Sequence, residues 1–323
     1  MRSWRSLAVA LLLAAGACGG SAGAPPKTFH IGVFHVGLDH IPPSFPAMKQ
    51  ALVKLGYVEG KNITIEWHNL PDEAAADVQA RAFVAEKVDL IVAFENQTAR
   101  ASVRATKTIP IVVLHVTNPV EEGFVRSLAH PGGNVTGTVG FRDLPAKQLE
   151  KLKQVDPKVR GIVAVTDPKD PNSATLLAKA TTAARALGFQ LVERRATTEA
   201  DLRGVFASIK TGSTDAVFLV SPTLQVKFQS VAIAESLKRH LAYESVVRQW
   251  VERGALLSYG PIYPIIGQEA AQYIAKILKG AKPADLPVVE LTQVELAINL
   301  KTARTVGVTV PQSILDVADF VVR

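Results

Sequence analysis

The chain is short of cysteine. Its 323 residues include one, Cys18, so no disulfide can close within the chain, and the body of the fold has no thiol nucleophile or cysteine-based metal cluster. Aromatic residues make up only 6%, which argues against a base-stacking nucleic-acid surface. Charge of one sign is not concentrated either. The 36 Lys and Arg against 29 Asp and Glu give a formal +7, but the basic residues are scattered among acids, as on a solvated surface rather than a DNA footprint, so no nucleic-acid partner is expected. Beyond the N-terminus no stretch reaches 18 apolar residues, so no membrane-spanning helix is expected. GxSxG, a Walker loop and GxGxxG after a strand are missing, as are repeats and heptads. No recognisable nucleophile setting remains, and the expectation is a protein that is not an enzyme and needs no cofactor.

What is present is an ordinary globular balance, 48% hydrophobic and 20% charged, on a chain long enough for two lobes of about 150 residues each. Residues 1–17 pair Arg2 and Arg5 with an apolar run from Leu7 to Ala17, and small residues precede Cys18. This is a signal-peptide pattern too short to span a bilayer. With Cys18 at its end, it resembles a bacterial lipoprotein signal in which that cysteine is lipidated. The expected address is the periplasm or cell envelope, anchored to the membrane through Cys18. Residues 18–28, rich in Gly, Ala and Pro, read as a tether.

The body alternates short apolar runs with amphipathic stretches. FHIGVFHV (29–36), NITIEW (62–67), DLIVAF (89–94) and IPIVVLHV (109–116) read as strands, with helices between them. The second half repeats the rhythm with GIVAVT (161–166), residues 189–194, AVFLV (216–220) and ALLSY (255–259). The expected fold class is α/β, with two Rossmann-like lobes of parallel sheets covered by helices on both faces.

Ligands of such sheets bind beyond the carboxyl ends of the strands. The loops there carry His35, Glu95, Asn96 and Thr117 in the first half, and Asp167, Asn172, Ser221, Glu244 and Tyr259 in the second. Helices starting after Asn96, Asn172 and Ser221 would offer free N–H groups to a carboxylate. Glu95, Asp167 or Glu244 would pair with an amine, and Tyr259 would line the hinge. The same Asn, Ser, Thr and Asp residues also serve as ordinary helix caps. His35, His40 and His115 with Glu95 would suit a metal if they converged, but their spacing matches no short ligand motif, and no metal site is assigned. His68, His130 and His240 read as surface or loop residues. The acids and amides suit a small polar zwitterion, an amino acid above all.

Three stretches carry a resemblance: LGYVEGKNITIEW (55–67), IPIVVLHVTNPVEEGFVRSLAHPGGNVTG (109–137), and GALLSYGP (254–261) continuing through ILKGAKPADLPV (277–288) and ELAINLKTARTVGVTVP (295–311). Together they resemble the ABC-transporter substrate-binding protein family of bacterial lipoproteins, whose fold is similar to type I periplasmic binding proteins. The resemblance implies lobe one at 29–140 plus 259–288, and lobe two at 141–258 plus 289–323, joined by a multi-segment hinge. It implies a small-molecule solute clamped by hinge closure and delivered to an ABC permease with a cytoplasmic ATPase. A sensor that presents its ligand to a membrane receptor would share these features, and a metal-binding protein or a hydrolase is the remaining alternative. The loop FENQT (94–98) departs from the small Gly/Thr/Pro/Ala loop of many relatives. This leaves the solute open.

Overall fold

β1 (Phe29–Val36) buries six consecutive residues from Ile31 onward, as a strand inside a parallel sheet must when both faces are covered. The computed structural model describes residues 27–323 except 39, 141–143, 211, 213 and 214. The expected leader, Cys18 and the tether up to residue 26 lie outside the described residues. After β1 come α1 (Ser44–Lys54), β2 (Ile63–Leu70), α2 (Glu73–Ala85), β3 (Leu90–Phe94), α3 (Glu95–Ala105), β4 (Ile111–Val116) and β5 (Val135–Val139). The second run is α4 (Leu144–Val155), β6 (Gly161–Thr166), α5 (Ser173–Ala186), β7 (Gln190–Arg195), α6 (Glu199–Ser208), β8 (Ala216–Leu219), α7 (Pro222–Lys227), α8 (Gln229–Lys238), β9 (Ala242–Ser245), α9 (Arg248–Glu252) and β10 (Leu257–Pro261). The chain ends with α10 (Tyr263–Leu278), β11 (Val289–Glu290), β12 (Val294–Asn299), α11 (Leu300–Val306), α12 (Gln312–Leu315) and β13 (Phe320–Val322).

Local chemistry sets several of these boundaries. The Asp72 carboxylate caps α2 by accepting the Ala75 N–H at 2.9 Å. Thr198 and Asp201 form a reciprocal capping box at the start of α6. Gly307, at φ 78°, ends α11 in the left-handed conformation that glycine adopts without strain.

The strands form two sheets, ordered β11-β5-β4-β3-β1-β2 and β13-β12-β10-β9-β8-β6-β7. The fold is therefore α/β with two sheets of mostly parallel strands. The pair β10/β12 is antiparallel, a departure from the all-parallel expectation. The chain passes from the first sheet to the second after β5. It returns after β10, which stays in the second sheet through Pro261, and leaves again after β11 at Val289–Glu290. Each sheet has an apolar core on both faces. α1 and α10 pack on one face of the first sheet, and α2 and α3 on the other. α6, α8 and α9 cover one face of the second, and α4, α5 and α11 the other.

The sequence pattern did not place β5, β9, β11, β12 or β13. β5, VTGTV, carries no large apolar residue, and β9, AYES, holds the acid Glu244 in its middle. Glu244, expected in a loop, lies inside β9 beside Tyr243. His68, expected on the surface or in a loop, lies in β2.

Candidate functional site

The first sheet winds outward in both directions from β1, which pairs with β2 on one side and β3 on the other. That reversal leaves a crevice beyond the carboxyl ends of β1 and β3, the usual ligand position in such sheets. His35 is the penultimate residue of β1, and Glu95 follows directly on β3. The His35 imidazole Nδ1 lies 2.8 Å from Glu95 Oε2, and Glu95 Oε1 accepts the Val36 N–H at 3.0 Å. Glu95 (φ 50°) and His115 (φ 57°), at the end of β4, both adopt left-handed backbone. For residues with a Cβ this costs on the order of 1 kcal/mol each. Two of the five described non-glycine residues with such backbone thus face the crevice, the others being Lys87, Asn118 and His240.

Burial governs the charge states. It pushes the Glu95 carboxyl well above the usual carboxylate range, against the Val36 and Thr98 hydrogen bonds and Lys227. It pushes His35 well below the usual imidazole value, helped by neighbouring His115, and it pushes His115 down to about 3. Burial thus favours the uncharged form of all three groups. Nδ1 of His35 makes no N–H bond of good geometry and Nε2 has no partner. A protonated Glu95 donating to Nδ1 satisfies the first of these and leaves Nε2 free toward the cavity.

Aromatic packing holds the cluster. The His35 ring lies 3.8 Å from Phe94 and 5.1 Å from Trp67, centroid to centroid. Phe45 in turn tilts against Trp67 at 4.1 Å. His115 stacks on Tyr263 at 4.3 Å, and its Nε2 is 2.9 Å from Ser44 Oγ. α1 and α10, which supply Ser44 and Tyr263, touch backbone to backbone at Gly267, where a Cβ would fall 2.0 Å from the Ser44 carbonyl oxygen. Any larger residue there would push the two helices apart and with them the support of His115.

A cavity of about 190 Å³ opens over this cluster, between the two sheets. His35, Glu95, His115 and Thr117 line it from the first lobe. Phe218, Val220, Trp250, Gln148 and Gln225 line it from the second. The second wall is thus mainly carbon, with three carboxamides, those of Gln148, Gln225 and Gln249. The lobes meet around it: the His40 ring stands edge-on to Trp250 at 5.0 Å. The Lys227 side chain of α7 crosses to Gly37, whose site has no room for a Cβ.

The residues expected in the site divide. His35, Glu95 and Thr117 line the cavity. Asn96 and Asn172 border a small adjoining void of about 30 Å³. The Asn96 carboxamide is engaged internally, donating to the Thr117 carbonyl at 2.9 Å and to Glu122 at 2.8 Å and accepting the Thr117 N–H at 2.8 Å. Asp167 accepts from Lys169 N–H and Thr197 Oγ1. Ser221 accepts the Asp167 N–H at 2.7 Å. Glu244 is buried in β9 with neither carboxylate oxygen hydrogen-bonded. The Tyr259 ring carries the Lys151 ammonium at 5.5 Å. None of Asp167, Ser221, Glu244 and Tyr259 lines the cavity.

The apolar wall was missed. Phe218 falls inside the expected strand AVFLV and no expectation attaches to Trp250, because strand-end reasoning selects polar loops. The signal that could have found Trp250 is the scarcity of tryptophan, three in the whole chain. Among the described residues, the three cavity-side imidazoles do not form a metal-sized group with Glu95. The grouping with that geometry is His30, Glu66 and Glu86.

Residues 33–322 match the ABC transporter substrate binding protein family. A tyrosine-binding protein of Clostridioides difficile is 30% identical over 267 residues, covering 81% of this chain and 77% of that protein. A solved conserved domain protein of Vibrio cholerae is 32% identical, covers 91% of this chain and all of that one, and superposes with a TM-score of 0.82. A Streptococcus ABC domain in complex with L-Trp is 25% identical, with coverage of 92% and 100% and a TM-score of 0.83. A ligand-free, open substrate binding protein of Clostridium difficile is 27% identical, with coverage of 91% and 99%, yet its TM-score is 0.65.

Proposed function

This chain belongs to the ABC transporter substrate binding protein family, and we propose that it captures a free amino acid with an apolar side chain and hands it, unaltered, to an ABC permease driven by a cytoplasmic ATPase. The observation that carries this reading is the cavity between the lobes, with a buried Glu95–His35 pair on one wall and a carbon wall at Trp250 and Phe218 on the other. The α-ammonium meets Glu95, whose proton passes to His35 Nδ1 at 2.8 Å, leaving a carboxylate to pair with the ammonium and an imidazolium beside it. The side chain lies against Trp250 and Phe218. The Nε2–H of that imidazolium and the Gln148 carboxamide meet the α-carboxylate, while Gln225 Nε2 is engaged with the Leu219 carbonyl at 2.6 Å.

Closure of the lobes is favoured only as far as the solute touches both at once. The likeness of this chain to the L-Trp complex exceeds that to the ligand-free open relative at nearly equal identity, which supports reading the arrangement here as the closed one. The relatives' names, one tyrosine-binding and one bound to L-Trp, support an aromatic amino acid. In this reading Cys18 carries the lipid that holds the protein to the extracytoplasmic face of the membrane.

The test is a thermal-shift and calorimetric screen of the purified protein against the free amino acids, polyols, nucleosides and organic acids. An amino acid present at 100 times its Kd adds about 2.7 kcal/mol of stability and is recovered unchanged by chromatography. Stabilisation by none of the amino acids, or conversion of the bound one, would overturn the proposal.

A further inference from the structure

Away from the cleft, a second group of metal-binding side chains lies on the opposite face of the first sheet. Side chains alternate along a strand, so Ile31, Val33 and His35 of β1 face α1 and α10, while His30 and Phe34 face α2. In the parallel register Gly32 lies beside Glu66 and Phe34 beside His68, which puts Glu66 and His68 of β2 on that same α2 side. β2 is the outer strand of the sheet, so the face opens to solvent along its edge. Glu86, the residue that ends α2, comes down over it. The Phe83 ring packs onto Gly32, within 2.8 Å of where a Cβ would stand, and this seats the end of α2 against the strands.

The distances within the group are those of a ligand set. His30 Nε2 is 3.0 Å from Glu66 Oε2, His68 Nε2 is 2.7 Å from Glu66 Oε1, and the ligand atoms of His30, Glu66 and Glu86 all lie within 4.8 Å of one another. Around a tetrahedral zinc ion with bonds of about 2.0–2.1 Å, neighbouring ligand atoms stand about 3.3 Å apart. The His30–Glu66 pair already meets that spacing, and small rotations of the Glu86 side chain close the third edge. Two carboxylates held this near each other cannot both stay charged cheaply: either one keeps a proton and hydrogen-bonds to the other, or a cation sits between them. Among the described residues, the ion-pair partners of Glu66 are the two imidazoles, which ligate a metal as neutral rings.

The geometry points to a binding site for a divalent transition-metal ion of the zinc type, ligated by His30 Nε2, Glu66 and Glu86. His68 donates from Nε2 to the second oxygen of Glu66 and so orients it. Mixed imidazole and carboxylate donors select such an ion over calcium or magnesium, which prefer oxygen alone. The site is independent of the solute cleft: His30 and His35 are five strand residues apart, about 16 Å, on opposite faces of the sheet.

Calorimetric titration of the chelator-treated protein with Zn2+, beside Ca2+ and Mg2+ arms at the same concentrations, tests this. One zinc ion binds per chain, and calcium and magnesium give no saturable heat. His30→Ala and Glu86→Gln each weaken zinc about tenfold or more, and His68→Gln weakens it by a smaller factor. Glu86 is exposed, so Glu86→Gln keeps the fold, which an unchanged Tm without metal verifies. No zinc binding at about 1 mM, or zinc binding unchanged in both His30→Ala and Glu86→Gln, overturns the assignment and leaves a hydrogen-bonded surface cluster.

Discussion

The two lobes wind the same way and use their winding reversals differently. In the first sheet the reversal lies between β1 and β3, in the second between β6 and β8. At the first, Glu95 and His35 are buried, and His35 Nε2 has no partner. At the second, the polar groups satisfy one another. The Asp167 N–H donates to Ser221 Oγ, the Ser173 and Ser221 hydroxyls bond to each other, and the Asp170 carboxylate takes both the N–H and the hydroxyl of Thr223 at 3.0 and 2.8 Å. The same winding about the central strand therefore gives one crevice with an unpartnered imidazole nitrogen and one whose Asp167, Asp170 and Ser221 groups are paired internally. In the proposed reading the ammonium falls to the first lobe, and the second contributes a wall mainly of carbon with glutamine carboxamides at Gln148, Gln225 and Gln249.

The largest expected effect comes from breaking the open crevice. Glu95→Gln should weaken amino-acid binding well beyond tenfold, because breaking a desolvated charge pair costs about 2–5 kcal/mol. Calorimetry reads it directly, and an unchanged Kd would move the ammonium elsewhere. Breaking the closed crevice should do the reverse. Ser221→Ala leaves the Asp167 N–H and the Ser173 hydroxyl short of a buried partner, so it should lower stability by about 1–3 kcal/mol while the Kd stays within about twofold. A selective loss of affinity would make the second crevice a ligand contact after all.

Glu244 is the exception in the second lobe, a buried carboxyl with no hydrogen bond, held well above the usual carboxylate range by burial. In the unfolded chain it ionises near pH 4.3, in the folded one only at higher pH. Its stabilisation is therefore complete below about pH 4.3 and is lost as pH rises toward the folded value, at up to about 1.4 kcal/mol per pH unit. Urea unfolding at pH 5 and pH 8 should show Glu244→Gln gaining on the wild type as pH rises. Parallel profiles would mean that the carboxyl is solvated. The smallest effect belongs to the carbon wall. Trp250→Phe keeps apolar area but loses ring contact, and should weaken an aromatic amino acid by about 0.5–1.5 kcal/mol, with little change for a solute such as alanine.

Much of the scaffold was legible. β1 and β6 fall where their apolar runs place them, and β3, β4 and β8 within two residues, because strands buried on both faces must be apolar throughout; β7, an exposed outer strand, also falls within two residues. β9 was not legible, since Glu244 interrupts its pattern, and β5 offered only small residues around Gly137. In the site, the sequence places His35 and Glu95 at neighbouring strand ends. It does not distinguish them from Asp167 and Ser221, which have the same polar types at equivalent ends. What separates them is whether a nearby loop supplies a partner, a tertiary fact that no single strand end encodes. Trp250 and Phe218 were invisible for the opposite reason: apolar residues that face a ligand look like apolar residues that face a core.

The central claim is that an amino acid's ammonium is held at Glu95 in the first lobe while the second lobe contributes shape. The most direct test is a two-by-two calorimetric comparison of an aromatic amino acid and its deaminated analogue, each titrated into the wild type and Glu95→Gln. If the claim holds, removing the amine costs well over tenfold in the wild type and little further in the variant. An equal loss in both proteins, or a deaminated analogue that binds the wild type as tightly as the amino acid does, would contradict it.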